Sequence, residues 1–254
     1  MANRRTDCVI CTKVPPSLPP KKKGEGGERS VFTKKYLSDQ LENSLRRLQT
    51  DYIDLYLLHS PDGRSDWEEI CASMDQLKVT GKIRYWGLLN HDAERVESCI
   101  STARRLGVSG PVVLEEYYTI AVYALSDAGQ SRVLKLEQEL FPVARNNSLG
   151  VMADSPLDGG NLSKHAKTKS QSAMAILHDA LDQAAVELDI SRAQVCVAWV
   201  ISHQEVLAVL SGPEQPGHVD EVLAGLNVTL PSEILNSLNG ASMTYTNRIE
   251  AESR

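Results

Sequence analysis

The sequence predicts an α/β fold in which a parallel sheet is covered by helices. Six short apolar runs alternate with longer segments of helical periodicity, a pattern typical of βαβ units. Most runs are nearly continuous in Val, Ile, Leu and Tyr, as expected of parallel strands buried on both faces. Apolar residues make up 42% and charged residues 24% of the chain, which excludes disordered, collagen-like and coiled-coil proteins as the main class.

The predicted strands are the six apolar runs, taken in chain order. They span 8–14, 52–59, 83–90, 111–118, 149–156 and 205–212. A length of 254 residues suits one barrel, because α/β barrels of about 200–250 residues form single domains. We therefore expect residues 1–254 to form one domain.

The predicted helices lie between and after these strands. They span 33–49, 66–80, 92–106, 131–141, 172–188, 191–203, 217–226 and 231–239. Asp66 and Asp92 are suitable N-caps, and Gly81 and Gly107 follow the ends of their helices, where glycine is favoured. Pro231 suits a first helical turn.

Charge and cysteine content exclude several classes of protein. The formal charge is −6 and the pI is near 5.6, which argues against nucleic-acid binding. Five cysteines cannot all pair, and the CxxC of Cys8 and Cys11 lies on a predicted strand, which favours two buried thiols over a zinc or redox pair. No signal peptide or membrane span is recognisable, so we expect a soluble, cytoplasmic protein.

Each predicted strand ends in polar or ionisable residues. These are Lys13, His59, Asn90, Glu115 with Glu116, Asp154 with Ser155, and Ser211 with Gly212. In a parallel barrel the carboxyl ends of the strands share one face, and barrel enzymes place their sites there.

Lys13 and His59 carry the most chemistry in this set. A lysine at a strand end can be partly desolvated, and a histidine can donate to a carbonyl or move a proton near neutral pH. Two alternatives stay open, namely a lysine that extends toward solvent and a hydrogen-bonded histidine at a strand end. The scattered histidines contain no HxH or HExxH spacing, so no metal site is expected, and no GxSxG motif indicates a serine hydrolase.

Several blocks together resemble the aldo-keto reductases. They are ICTKV (10–14), LENSLRRLQT (41–50), DYIDLYLLHSPD (51–62), GKIRYWGLLN (81–90), LGVMADSPL (149–157) and the segment 205–226. The resemblance implies a TIM-barrel-like (β/α) fold that binds NADP(H) at its C-terminal face without a Rossmann domain. It also implies a small aldehyde or ketone as substrate, reduced by hydride from the nicotinamide and by a proton from a tyrosine.

The same resemblance assigns roles to residues of this chain. Lys13 matches the lysine that tunes the tyrosine, and His59 matches the histidine that orients the carbonyl oxygen. Asn90 matches an asparagine that holds the nicotinamide carboxamide. The remaining implied cofactor-binding positions are Glu115, Asp154, Ser155, Leu157, Ser211, Gly212, His218 and Glu221.

Departures from the family pattern alter the expected activity. Only six βα units are recognisable, and the first two, which would carry the catalytic tyrosine and aspartate, are not among them, so we expect an incomplete or distorted barrel. Tyr117 and Tyr118 are the candidates to replace the tyrosine, and strand alternation lets at most one of them face the pocket.

The cofactor-binding positions also differ from the family pattern. Glu115 replaces a glutamine, Asp154 replaces the tyrosine that stacks on the nicotinamide, and Leu89 and Val222 replace a serine and an asparagine. The loop 211–222 contains Glu214 but no Lys or Arg for a 2′-phosphate, and His218 stands where an arginine is common.

Three functions follow as expectations. The first is a divergent reductase whose NADP(H) binding and carbonyl reduction are weak or lost. The second is a cofactor-free acid–base enzyme, of the dehydratase or cyclase kind, that uses Lys13, His59, Glu115 and Asp154. The third is a non-catalytic scaffold or regulatory subunit, with a homo-oligomer covering the unpaired strand edges.

Overall fold

A computed structural model describes residues 2–16, 32–61, 66–121, 136–164, 166 and 172–252. Its six strands are β1 (Cys11–Val14), β2 (Ile53–Leu58), β3 (Ile83–Leu89), β4 (Val113–Tyr117), β5 (Gly150–Asp154) and β6 (Val206–Leu210). They are ordered in the sheet as in the chain, β1 to β6. The pairs β1–β2, β2–β3, β3–β4 and β5–β6 are parallel. The predicted α/β fold with a parallel six-stranded sheet is therefore confirmed.

Eight α-helices are described. They are α1 (Lys34–Leu48), α2 (Trp67–Val79), α3 (Ala93–Leu106), α4 (Phe141–Asn146), α5 (Ala173–Leu188), α6 (Arg192–Ile201), α7 (Pro216–Gly225) and α8 (Ser232–Glu252). Two 3-10 turns, Ala2–Asp7 and Asp158–Gly160, and a π-helical turn, Leu136–Leu140, complete the described elements. None of the described helices has the length and apolar character needed to cross a membrane.

The helix boundaries follow the capping residues. The side chain of Asp66 accepts from the backbone N–H of Glu68, and that of Asp92 accepts from Arg95 at 2.8 Å, as predicted. Gly107 ends α3 with a φ of 67°, a left-handed conformation that glycine adopts without strain. Local capping thus fixes where these helices begin and end.

Three parts of the chain differ from the sequence prediction. The helix predicted at 131–141 is described as a π-helical turn that runs into α4, and 131–135 lie outside the described residues. The helix predicted at 231–239 continues as α8 to Glu252, because Ser242, Tyr245 and Thr246 extend its buried face although two of them are small and polar. Cys8 precedes β1 and is exposed, so the expectation of two buried thiols was wrong for this residue.

The described chain divides into two compact units. The first comprises residues 1–115 and 143–149, and the second comprises residues 116–142 and 150–254. The core of the first unit contains Tyr56, Trp86 and Met74, all fully buried, and the core of the second is built around Tyr118 and Trp199. A single barrel domain over 1–254 stays a prediction.

An ionic cluster closes the amino ends of β1 and β2 in the first unit. Asp54 is buried and accepts from the Arg5 guanidinium at 2.7 Å, from the Ile10 backbone N–H at 2.9 Å and from Arg84 at 3.1 Å. The Arg5 guanidinium also lies 3.8 Å from the centre of the Tyr52 ring. This cluster ties the N-terminal 3-10 turn to the sheet.

Gly240 offers a stabilising substitution in α8. A β-carbon at this position would meet no atom within 4 Å, and the residue lies in the interior of the helix. Gly240→Ala is expected to raise the free energy of unfolding by about 0.5–1 kcal/mol, because alanine loses less backbone entropy in a helix. Urea denaturation would measure it, and an unchanged or lower stability would contradict the described helix.

Candidate active site

The central feature of the first unit is an ion pair between Lys13 on β1 and Glu115 on β4. The ammonium Nζ donates to Oε1 of the carboxylate. The side chain of Glu115 is 1% exposed and that of Lys13 is 36% exposed. Two residues that the sequence assigned to different roles, one catalytic and one cofactor-binding, are thus direct partners.

The pair indicates strong curvature of the sheet between β1 and β4. Strands β2 and β3 lie between the two residues, and three strand spacings amount to about 14 Å along the sheet. A lysine and a glutamate side chain meet over that span only when both point to the concave face of a curved sheet. This curvature brings the two charged groups together.

Gly87 makes room for this arrangement on β3. It pairs in register with Leu57 on one side and with Val113 on the other. A β-carbon at Gly87 would lie 2.3 Å from the Val113 carbonyl oxygen and 2.9 Å from Leu57 Cδ2. The absence of a side chain therefore lets the neighbouring strands pack as they do.

The second carboxylate oxygen of Glu115 is the unusual atom of the site. Oε2 is buried and has no hydrogen-bond partner among the described residues. A buried polar atom without a hydrogen-bond partner lowers stability by about 1–3 kcal/mol. A ligand that donates an N–H or O–H to Oε2 would therefore be bound favourably.

Cys11 is a further member of this group that sequence reasoning did not assign. It lies two residues before Lys13 on β1, so the two-residue period of a strand places both side chains on one face. Burial, followed by the negative charge of Glu115, raises the pKa of Cys11 to about 11. The thiol is therefore protonated at neutral pH. The two-residue period of the strand was the sequence feature that could have assigned Cys11 to this group.

His59 and Asn90 lie at the ends of the intervening strands. The His59 backbone N–H donates to Val14 O at 2.9 Å, and the His59 carbonyl accepts from Asn90 Nδ2 at 3.4 Å. Asn90 has a φ of 61°, and its own N–H donates to Glu115 O at 3.4 Å. The His59 side chain is exposed. The first unit thus brings Lys13, His59, Asn90 and Glu115 to the carboxyl ends of β1–β4.

The second unit places three predicted site residues at and after the carboxyl end of β5. The carbonyl of Asp154 accepts from the backbone N–H of Tyr118 at 2.9 Å. Ser155 has a φ of 60°, and its N–H donates to Leu210 O at 3.1 Å. The Leu157 carbonyl accepts at the start of the following 3-10 turn. Asp154, Ser155 and Leu157 are all half-buried.

The other predicted residues of the second unit follow β6. Ser211 is half-buried, and Gly212 is exposed with open space where a β-carbon would lie. His218 and Glu221 are half-buried on α7. Since β5 and β6 pair in parallel, Ser211 and Gly212 follow the carboxyl end of the strand beside Asp154, while His218 and Glu221 lie on the next helix.

Tyr117 is the last residue of β4 and Tyr118 follows it, and their hydroxyls bond to different carboxylates. Tyr118 is fully buried against the rings of Phe141, Trp199 and His203, and its hydroxyl donates to Glu137 at 2.7 Å. Burial, followed by the Glu137 carboxylate, raises the pKa of Tyr118. Tyr118 is therefore a packing residue.

The hydroxyl of Tyr117 is also engaged by a carboxylate. It donates to Asp158 Oδ1 in the 3-10 turn after β5. Burial and then this hydrogen bond raise the pKa of Tyr117. Neither Asp158 nor Glu137 was assigned a role from the sequence, and neither carries a motif that would have indicated one.

Metal ligation finds no support in the described part of the chain. Within those ranges, no three His, Cys, Asp or Glu side chains come together as a metal site.

Comparisons with known proteins place the chain in a family. The model of the family described as "Aldo/keto reductase family" matches residues 1–242. A "Probable voltage-gated potassium channel subunit beta" of Oryza sativa subsp. japonica is 27% identical over 270 residues, covering 98% of this chain and 77% of that protein. The "Uncharacterized oxidoreductase YrpG" of Bacillus subtilis is 28% identical, over 93% and 72% of the two chains. The "Methylglyoxal reductase YeaE" of Escherichia coli is 33% identical, over 85% and 65%. This chain belongs to the aldo/keto reductase family.

Proposed function

We propose that this chain is a divergent aldo/keto reductase in which NAD(P)H-dependent reduction of aldehydes and ketones is weak or lost. The observation that carries the proposal is the ion pair between Lys13 and the buried carboxylate of Glu115. By family resemblance, Lys13 is the lysine that tunes a proton-donating tyrosine. A lysine whose ammonium is held by a buried carboxylate is not free for that role.

The tyrosines that end β4 support the same conclusion. A replacement proton donor would need a phenol that can approach a substrate oxygen. The hydroxyl of Tyr118 is committed to Glu137, and that of Tyr117 is committed to Asp158. In each case a carboxylate accepts the proton that a carbonyl substrate would require, so neither phenol is a ready general acid.

The first unit retains groups that fit the nicotinamide carboxamide. The buried Oε2 of Glu115 is an acceptor without a partner in the described chain, and the carboxamide offers an N–H2 donor. Asn90 would hold the other end of the amide, as resemblance implies. When bound, the dinucleotide would supply the hydride.

The second unit contributes less favourable contacts. By family resemblance, the positions for dinucleotide contacts in the second unit are Ser155, Leu157, Ser211, Gly212, His218 and Glu221. Asp154 offers no ring to stack on the nicotinamide, and aromatic stacking contributes about 0.5–1.5 kcal/mol. A weakened nicotinamide dinucleotide complex is expected for this reason.

Turnover with purified protein tests the proposal. NADH or NADPH consumption would be followed with a panel of aldehydes and ketones, for the native chain and for His59→Ala. We expect a residual rate that is the same in both proteins and at least about 100-fold below that of a working reductase, the typical contribution of a general acid. Robust turnover that His59→Ala abolishes would overturn the proposal.

A second candidate function is association without catalysis. Val219 and Leu223 on α7 and Leu226 at its C-cap are 42%, 53% and 40% exposed, and their spacing places them on one face of the helix. We propose that this apolar stripe binds a second copy of the chain. Light scattering at several concentrations would test it: a dimer that Leu223→Asp dissociates is expected, and a strict monomer would contradict it.

The cofactor-free acid–base function stays a prediction. It requires Lys13 or Glu115 to exchange protons with a substrate, whereas the two groups are paired with each other. An assay in which Lys13→Met abolishes a dehydration or cyclisation without added dinucleotide would favour it over the proposals above.

A further inference from the structure

The C-terminal part of the chain has an unusual charge pattern. No Lys or Arg occurs between Arg192 and Arg248, whereas this stretch contains five acidic residues. They are Glu205, Glu214, Asp220, Glu221 and Glu233. The stretch includes β6, the loop after it and α7, which the proposed function assigns to dinucleotide binding.

Three acidic residues lie at or near the amino end of α7. Glu214 is exposed in the loop directly before α7, while Asp220 is exposed and Glu221 half-buried on the helix. The amino end of a helix attracts anions through its free N–H groups. Three carboxylates within the same eight residues oppose that attraction, so this end of α7 does not fit a dianionic phosphate group.

The arginines of the second unit that the structure describes, Arg192 and Arg248, are engaged elsewhere. Arg192 donates to both carboxylate oxygens of Asp182 and to the Ser163 carbonyl, and its side chain is 9% exposed. Arg248 pairs with Glu252 at 2.9 Å. Lys164 is exposed in the loop after β5, and Lys167 and Lys169 lie outside the described residues.

The two dinucleotides differ at one chemical group. NADPH carries a phosphate on the adenosine 2′-oxygen, with a charge of about −1.5 to −2 at neutral pH, whereas NADH carries a hydroxyl there. A carboxylate repels the phosphate but accepts a hydrogen bond from the hydroxyl, as acidic residues do in other NAD-binding folds. The charges of the loop 211–215 and of α7 therefore favour the hydroxyl.

We propose that this chain selects NAD(H) over NADP(H), and that Glu214 is a residue that enforces the selection. The inference rests on the proposed function, because it assigns the chain the same dinucleotide site. It departs from the NADP(H) that the family resemblance implies, because the loop 211–222 contains no Lys or Arg for the 2′-phosphate and contains Glu214 instead.

Direct binding tests the inference without requiring turnover. NADH and NADPH would be titrated into the full chain and their bound fluorescence measured. We expect NADH to bind about tenfold more tightly or better, since tenfold corresponds to about 1.4 kcal/mol. Glu214→Arg should strengthen NADPH binding. The ratio of the Kd for NADPH to the Kd for NADH should then fall to about one or below.

Glu233→Arg is the matched control. It makes the same charge change at an exposed residue of α8, outside the loop 211–215 and α7. We expect it to leave the ratio unchanged, and an equal effect of both variants would overturn the role of Glu214. Equal or tighter binding of NADPH by the native chain would overturn the selectivity and assign the phosphate to the lysines after β5. Failure of both dinucleotides to bind would overturn the cofactor part of the proposed function together with this inference.

Discussion

Asp54→Ala is expected to lower the free energy of unfolding by about 3 kcal/mol. Removing one member of a buried ionic cluster leaves its partners without compensation, which costs about 3–5 kcal/mol. Arg5 and the Ile10 N–H would both lose their acceptor. Arg84 is half-exposed and can be solvated instead, so we expect a loss at the low end of this range. Urea denaturation of both proteins would measure it.

The same residue gives the cluster a dependence on pH. Burial alone would raise the pKa of Asp54, but the Ile10 N–H and the Arg5 guanidinium, aided by Arg84, outweigh it and lower the pKa below its ordinary value of 3.8. The unfolded chain thus binds this proton more readily than the folded chain does. The stabilisation is fully present above the unfolded pKa and is lost as the pH falls through the folded pKa.

The difference in stability between the native chain and Asp54→Ala should therefore shrink as the pH is lowered below about 4. Asp7→Ala is the control, because Asp7 forms only an exposed pair with Arg4 and its removal should leave stability unchanged. A difference that is constant with pH, or equal losses in both variants, would contradict the described cluster.

Gly87→Ala is expected to destabilise the chain by about 3 kcal/mol or more. Overpacking a well-packed interior costs about 1–3 kcal/mol, and here the new methyl group would meet the backbone oxygen of Val113, which cannot rotate away. The β3–β4 pairing has to shift to admit it. Denaturation midpoints would measure the loss, with Gly240→Ala as the matched control for the same exchange in open space. A midpoint equal to that of the native chain would mean that β3 and β4 are not packed as described.

The fold was largely predictable because its signals are local. The near-continuous apolar runs predicted the six described strands, with bounds within a few residues of those in the structure. The caps Asp66 and Asp92 marked the starts of two helices. The extension of α8 to Glu252 was not predictable, since its buried face beyond Leu238 uses Ser242 and Thr246, whose burial depends on tertiary packing.

The candidate site was predictable as a set of positions but not as a set of partners. Strand ends and family resemblance placed Lys13 and Glu115 on one face. Their ion pair depends on the curvature of four strands, which no local pattern encodes. The carboxylates that hold Tyr117 and Tyr118, Asp158 and Glu137, likewise come from segments 41 and 19 residues away in the chain.

A double-mutant cycle on Lys13 and Glu115 tests the central claim, that this lysine is committed to this carboxylate. The free energy of unfolding would be measured for the native chain, Lys13→Met, Glu115→Gln and the double variant. Because Glu115 is buried and Lys13 is partly exposed, we expect a coupling energy of about 1–2 kcal/mol between the two substitutions. A coupling energy of zero would mean that the two side chains act independently, and it would contradict the account of this site.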